Sequence, residues 1–172
     1  MMACSTQSGM LGKGNITHAL KAIELMQPLE TAVQYLGIED GESFSPSSIN
    51  ADVLVIQFFS MYCPACQTDA AAVNEFYDLT TKPHTGQNIK MIGIGFANSE
   101  FEVAIFKRKF NVLFPLFPDP YGDAARALHA YSTPHFVVIQ RTDNDNFKLI
   151  YEQAGALRNS EKFLKTILTH IE

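Results

Sequence analysis

Two hydrophobic patterns alternate along the middle of this 172-residue chain. Near-continuous apolar runs over Val53–Phe59 and Ile89–Phe96 predict strands that are covered on both faces. Each run is followed by apolar positions at helical spacing, over 64–80 and 100–110, and these predict helices. The order strand, helix, strand, helix indicates an α/β architecture.

The last third of the chain has a different pattern. A proline-rich extended stretch leads into residues 122–131, which predict a short helix. Two apolar runs, 135–140 and 147–152, lie on either side of the turn signal Asp143-Asn144-Asp145-Asn146 and predict an antiparallel hairpin. Residues 160–171 predict a closing helix. The whole pattern therefore predicts an α/β fold with a mixed central sheet and helices on both faces.

The N-terminal part divides into a leader and a helical extension. Residues 1–16 are small and polar and predict a flexible leader. Apolar residues recur at helical spacing over 17–36, where Pro28 is expected to kink the helix or split it in two. We therefore divide the chain into the leader 1–16, the helical extension and loop 17–50, and a main domain 51–172.

Composition narrows the choice of partners. The chain is 47% hydrophobic and 18% charged, as in soluble globular proteins. A net charge of −5 gives no reason to expect binding to nucleic acid or to an anionic membrane surface. No apolar run approaches the roughly 20 residues of a membrane span, and the first residues lack the apolar core of a signal peptide.

The motif Cys63-Pro64-Ala65-Cys66 stands between the first predicted strand and its helix. A lone C-x-x-C in this context is typical of a redox pair, and three cysteines are too few for a disulfide framework. A helix N-terminus favours the thiolate, which is the nucleophilic form of cysteine. Cys63 is therefore the predicted nucleophile. Cys66, one turn further on, can resolve the mixed disulfide that Cys63 forms.

The flanks of this motif resemble a known family. Residues 58–66 are similar to the active-site segment of the thioredoxin superfamily, with Tyr62 where a Trp usually precedes the first cysteine. Stretches between 92 and 119, and residues 122–139, resemble the inserted strand–helix unit of the TlpA/ResA-like (redoxin, AhpC/TSA-related) thiol–disulfide oxidoreductases, neighbours of the peroxiredoxins. The resemblance covers about residues 40–172.

The resemblance implies a thioredoxin-like fold over residues 51–172, with the inserted unit and the N-terminal helical extension added to it. It implies disulfide exchange with protein or peptide partners and with an upstream electron donor or acceptor protein. The redox-active disulfide Cys63–Cys66 would then serve in place of a bound cofactor. The resemblance also suggests an extracytoplasmic bacterial setting, the periplasm or cell envelope, while a cytoplasmic setting stays open.

The family pattern also assigns residues around the dithiol. It implies that Thr133-Pro134 is the cis-proline turn that faces the dithiol and pairs with the backbone of a bound substrate. Tyr62 and Phe59 are expected to form walls of the site. His135, directly after the proline, could influence the thiolate or be a packed bystander.

Two positions depart from the family pattern. Thioredoxins carry a buried acid six residues before the first cysteine, and this chain has Gln57 there. Asp69 stands three residues after Cys66, where the family often has Glu. A carboxylate one turn from Cys66 could take or return the proton of the resolving thiol, although Asp69 could equally be a solvated helix residue.

Two alternative functions use the same cysteines. A peroxiredoxin-type thiol peroxidase needs a Ser or Thr three residues before its cysteine, where Ser60 fits, and a Pro seven residues before it, where this chain has Ile56. A copper- or zinc-binding module would need further ligands from scattered histidines such as His129 or His135.

The N-terminus carries one more candidate feature. The sequence Met-Met-Ala-Cys resembles the end of a bacterial lipoprotein signal, with Cys4 as the lipidated residue and hence a membrane tether. The alternative is an incidental cysteine in a flexible N-terminus.

Overall fold

A computed structural model describes residues 13–28, 30–82, 86–142 and 145–171 of the chain. The strands within these ranges are β1 (Leu25–Met26), β2 (Ser43–Phe44), β3 (Val53–Phe59), β4 (Ile89–Phe96), β5 (Leu116–Asp119), β6 (His135–Arg141) and β7 (Phe147–Ala154). The helices are α1 (Lys13–Ala22), α2 (Glu30–Leu36), α3 (Pro64–Thr80), α4 (Glu100–Lys109), α5 (Asp123–Ala127) and α6 (Ser160–His170).

The central sheet is mixed, as the hydrophobic pattern predicts. Its strand order is β5-β4-β3-β6-β7, with β3 parallel to β4, β4 parallel to β5, and β6 antiparallel to both β3 and β7. Every residue of β3 is buried, because this strand lies in the middle of the sheet between two layers of helices. The carboxyl ends of β3, β4 and β5 and the start of β6 consequently meet at one edge of the sheet.

Helices cover both faces of this sheet. The side chains that β3 directs to one face pack with residues of α3, α4 and α6, including Phe76, Phe106 and Phe163. The side chains on its other face pack with α1, α2 and α5, including Leu20 and Leu36. The expected thioredoxin-like architecture is therefore confirmed.

The N-terminal extension differs from its prediction in one respect. The helical spacing predicts helix on both sides of Pro28, but residues 25–26 form the extended strand β1 and pair antiparallel with β2. This pairing buries Leu25 in the core beside Phe44, while Met26 stays exposed. Gln27, directly before Pro28, also disfavours helix, and the non-local strand pair forms just ahead of it. The helix α1 begins at Lys13, four residues before the predicted start.

Gly37 ends α2 with a backbone conformation that few other residues adopt. Its φ of +62° lies in the left-handed region, and its N–H donates to the Val33 carbonyl at 2.8 Å. A side chain at this position would be strained and would also meet Asn50, since a Cβ would lie 2.8 Å from the Asn50 Cβ.

Some sequence predictions fall outside the described residues. These are Cys4 with most of the leader, residues 83–85 of the turn after α3, and residues 143–144 of the hairpin turn. The hairpin strands themselves pair as predicted, from His135 opposite Ala154 to Arg141 opposite Phe147. Among the helices that are described, none has the length and apolar character needed to cross a membrane.

Candidate active site

The two cysteines of the motif lie at the start of α3, directly after β3. Cys63 is the N-cap of the helix, and its sulfur accepts the backbone N–H of Cys66 at 3.1 Å. Pro64 is the first helical residue, where a missing N–H leaves no bond unmade. Both cysteines are free thiols, Cys63 half-buried and Cys66 fully buried. The structure therefore places one accessible and one protected sulfur a single turn apart.

The buried sulfur strongly prefers its protonated form. The pKa of the Cys66 thiol is raised to about 12, mainly by burial and secondly by the neighbouring Cys63. The backbone of Ser60 and the side chain of Thr133 act in the opposite direction by hydrogen bonding to the Cys66 sulfur. Cys66 is thus a thiol at neutral pH, with hydrogen-bond donors in place to stabilise its anion.

The Thr133–Pro134 turn comes from the other half of the chain and faces both sulfurs. The peptide bond between these residues is cis, as the family resemblance implies. The Cys63 thiol donates to the Thr133 carbonyl at 3.3 Å across 70 residues of sequence, and the Thr133 side chain bonds to Cys66. The fold therefore brings together the dithiol and the turn that the sequence analysis assigned to the same site.

Asp69 is buried, one turn beyond Cys66 on α3. Its Oδ2 accepts the Leu157 N–H at 2.6 Å, and its Oδ1 accepts the Arg158 N–H at 2.9 Å. Both carboxylate oxygens are therefore engaged by the loop between β7 and α6. No local sequence pattern predicts this contact, because it joins residues nearly ninety positions apart.

The two aromatic residues expected to form walls of the site have different environments. The side chain of Tyr62 is 67% exposed beside the dithiol, and its hydroxyl donates to the Glu102 carboxylate. Phe59 is completely buried and packs on the ring of Phe106, with the ring centroids 4.5 Å apart. Phe59 therefore belongs to the core, and Tyr62 is the aromatic side chain that faces solvent.

The two polar residues near the strand ends lie on opposite faces of the sheet. Gln57 is almost fully buried in β3 and, by strand alternation, shares a face with Phe59 and the dithiol. His135 lies beside Phe136 but points to the other face, where its Nε2 bonds to the Glu152 carboxylate at 2.8 Å. The structure therefore places His135 as a packed neighbour of Glu152 and not of the thiols.

The loop that carries Cys63 is held by side chains that the sequence analysis missed. Asn98 is fully buried, and its Oδ1 accepts the backbone N–H of Met61 at 2.7 Å. From the helix side, the Gln67 amide donates to the Met61 carbonyl at 2.7 Å. Ser99, next to Asn98, is the N-cap of α4. From the sequence alone, Asn98 could cap α4 as well as Ser99 does, so no local signal reveals its contact with Met61.

The histidines named for a metal site have other contacts. His135 is bonded to Glu152, and the His129 ring stacks on Tyr131 with the ring centroids 6.0 Å apart. Over the described part of the chain, no group of three or more His, Cys, Asp or Glu side chains is placed to hold a metal ion.

Solved structures share this fold at low sequence identity, and no curated protein sequence matches the chain. StoA from Bacillus subtilis is 20% identical with a TM-score of 0.61, and the match covers 86% of this chain and 98% of StoA. DsbF of Mycobacterium tuberculosis is 15% identical with a TM-score of 0.64, covering 88% and 97%. A secreted M. tuberculosis disulfide oxidoreductase homologous to E. coli DsbE is 16% identical with a TM-score of 0.62, covering 88% and 98%.

These neighbours show that the chain has the fold of thioredoxin-like thiol–disulfide oxidoreductases. The sequence adds independent support, because a family model matches residues 26–145, which is more than half of the chain. The matched segment contains the dithiol, the inserted strand–helix unit and the Thr133–Pro134 turn. The chain belongs to the AhpC/TSA family.

Proposed function

We propose that this protein is a thiol–disulfide oxidoreductase that uses Cys63 and Cys66 as its redox pair. The observation that carries the proposal is the asymmetry of the pair. Cys63 is partly accessible at a helix N-terminus, and its sulfur accepts a backbone N–H. Cys66 is buried, and its pKa is raised to about 12. In the proposed reaction the first sulfur attacks, and the second stays protonated until a mixed disulfide forms.

The proposed reaction transfers two electrons through two thiol exchanges. The Cys63 thiolate attacks one sulfur of a partner disulfide, which forms a mixed disulfide and releases the other partner sulfur as a thiolate. Cys66 then loses its proton and attacks the Cys63 sulfur, which releases the second partner thiol. The partner disulfide is reduced, the Cys63–Cys66 disulfide forms, and the two protons of the dithiol pass to the partner thiols. A second thiol protein, as donor or acceptor, resets the pair.

Residues around the sulfurs are proposed to support these steps. Thr133 contacts both sulfurs, and with Pro134 it would orient the partner's backbone across them. Tyr62 offers an exposed aromatic surface beside Cys63. Asp69 is proposed to receive the proton of Cys66, since it is the buried carboxylate one turn along the same helix.

Partners and setting follow from the same comparison. We propose that the partners are protein or peptide thiols and disulfides, the class of substrate that disulfide exchange requires. An extracytoplasmic setting is supported by the likeness to the M. tuberculosis protein that is described as secreted. A tether through a lipidated Cys4 remains part of this proposal, and Cys4 lies outside the described residues.

Peroxide reduction is less favoured than disulfide exchange. Ser60 stands where that chemistry needs a hydroxyl, but Ile56 occupies the proline position and is fully buried in β3. The similar structures that are described by activity are disulfide oxidoreductases.

Reduction of insulin disulfides with dithiothreitol as electron source tests the proposal. Cys63→Ser is expected to abolish catalysed reduction, and Cys66→Ser is expected to slow turnover, because its mixed disulfides are then resolved only by attack of dithiothreitol. Cys4→Ser is the matched control and should keep wild-type activity. Full activity of the Cys63→Ser variant would show that the redox pair is wrongly assigned. A parallel assay with hydrogen peroxide as substrate distinguishes the alternative, because a thiol peroxidase would reduce peroxide faster than insulin disulfides.

A further inference from the structure

The loop of residues 60–62 is attached to its surroundings through the backbones of Ser60 and Met61. The Ser60 carbonyl accepts the Cys63 N–H at 3.1 Å, and the Ser60 backbone also faces the Cys66 sulfur, where it lowers the pKa of that thiol. The Met61 carbonyl accepts the Gln67 amide at 2.7 Å. The position of this loop therefore decides where a hydrogen-bond donor meets the resolving sulfur.

Asn98 holds the Met61 backbone of this loop from outside the α3 helix. Its Oδ1 accepts the Met61 N–H at 2.7 Å, and its Nδ2 donates to the Ala97 carbonyl at 3.1 Å and to the Ser60 hydroxyl at 3.4 Å. The side chain is 0% exposed. A fully buried amide whose oxygen and nitrogen are both bonded is costly to disrupt, because the groups left behind lose partners that water does not replace.

The surrounding backbone is shaped to admit this side chain. Gly95, opposite Phe59 in the sheet, leaves the space that Asn98 enters, since a Cβ there would lie 3.1 Å from the Asn98 Cβ and 2.8 Å from Val103. Ala97, the preceding residue, has a φ of +53°, a conformation that a residue with a side chain rarely adopts. Both features serve to turn Asn98 inward at the end of β4.

We propose that Asn98 is a positioning residue for the resolving step, holding the Ser60–Met61 backbone so that its donor reaches the Cys66 sulfur. The inference rests on the proposed function, because it assigns Asn98 to the second of the two exchanges. Asn98 touches neither sulfur and acts through the loop. Its loss is expected to slow resolution by Cys66 while leaving the attack by Cys63, whose sulfur is held by the Cys66 N–H, nearly unchanged.

The two exchanges can be timed separately with dithiobis(nitrobenzoate), a small aromatic disulfide. The full-length chain carries Cys4→Ser, so that only the dithiol reacts. Attack by Cys63 forms a mixed disulfide and releases one coloured thionitrobenzoate, and attack by Cys66 releases the other as the Cys63–Cys66 disulfide closes. Asn98→Ala is expected to slow the second release about tenfold, with the first release within about twofold of the unsubstituted chain.

Asn74 provides a matched control. Its Oδ1 accepts the Leu113 N–H at 3.1 Å and its Nδ2 donates to the Asn111 carbonyl at 3.0 Å, so it holds another loop by the same bonds. Asn74→Ala should destabilise the chain without changing the ratio of the two releases. A change of that ratio in Asn98→Ala alone supports positioning, since a general loss of stability would change the ratio in both variants.

Three results would contradict either the role of Asn98 or the proposed function. Equal phase ratios in Asn98→Ala, Asn74→Ala and the unsubstituted chain would overturn the role of Asn98. If Asn98→Ala does not fold, Asn98→Leu replaces it, because it keeps the branched shape of the side chain and removes both the acceptor for Met61 and the amide donor. A phase ratio in Asn98→Leu equal to that of the unsubstituted chain would likewise overturn the role of Asn98. A single release from the unsubstituted chain would instead contradict the proposed function.

Discussion

The two sulfurs of the dithiol differ in what surrounds them. Cys63 is partly open to solvent and bonds to the backbone of Cys66 and Thr133. Cys66 is buried, and the few donors that reach it only partly offset the effect of burial on its pKa. Because the thiolate is the attacking species, these donors are expected to control how fast Cys66 resolves a mixed disulfide.

The Thr133 hydroxyl is the side-chain donor that can be removed with least change of shape. Thr133→Val is expected to raise the pKa of Cys66 further and so to lower its thiolate fraction at every pH below that value. Loss of this hydrogen bond is expected to remove about 0.5–1 kcal/mol of stabilisation from the Cys66 thiolate. That loss corresponds to a rate of resolution roughly threefold lower. The pH dependence of resolution in a stopped-flow assay measures this effect.

Thr166→Val is the control for that substitution. Thr166 lies on α6 and donates to the Lys162 carbonyl at 2.9 Å, away from the thiols. Thr166→Val should therefore leave the rate of resolution by Cys66 unchanged. Identical resolution rates in Thr133→Val and Thr166→Val would mean that the hydroxyl does not act on Cys66.

At the scale of elements, Asp69 joins α3 to the loop before α6. Its two oxygens accept two backbone N–H groups, and an amide could accept only one of them. Asp69→Asn is therefore expected to lower the free energy of unfolding by about 1–3 kcal/mol, as measured by urea denaturation. Asp78→Asn, at an exposed position of the same helix, should change it by less than about 0.5 kcal/mol. Equal stabilities of the two variants would contradict the anchoring role of Asp69.

The elements that could be predicted are those whose pattern is local and long. The strands β3 and β4 and the helix α3 have the predicted boundaries, because each contains at least seven residues with one hydrophobic period. The strand β1 was predicted as helix, because its two residues become extended only through pairing with β2, eighteen residues further on. Sequence periodicity carries no information about such a pair.

At the scale of the whole molecule, the sheet edge gathers residues that are far apart in sequence. The dithiol and the Thr133–Pro134 turn could be placed together beforehand, because the family resemblance relates the two motifs. The contacts of Asn98 with Met61, and of Asp69 with the loop before α6, could not. Each joins a side chain to a distant backbone atom, and no local pattern marks either partner.

Burial of Cys66 also predicts a pH dependence of stability for the whole protein. Its pKa rises from an ordinary value of 9.0 to about 12 on folding, so the folded chain holds this proton more tightly than the unfolded chain. The stabilisation is complete below about pH 9, and it is lost as the pH rises towards about 12. The reduced protein should therefore lose stability over this interval.

The oxidised protein is the control, since its Cys66 has no proton to release. Urea denaturation of both forms in the Cys4→Ser background, at several pH values across the interval, measures the difference. The free energy of unfolding should fall more steeply with pH for the reduced form. Parallel pH profiles for the two forms would assign the loss to other groups.

The central claim is that Cys63 attacks and Cys66 resolves, and intact-mass spectrometry after reaction with glutathione disulfide tests it most directly. In the Cys4→Ser background, Cys66→Ser is expected to accumulate one glutathione on Cys63, and Cys63→Ser is expected to stay unmodified over the same time. The chain with both cysteines should pass to its internal disulfide without a lasting adduct. An adduct that forms as fast on Cys66 of the Cys63→Ser variant would contradict the account.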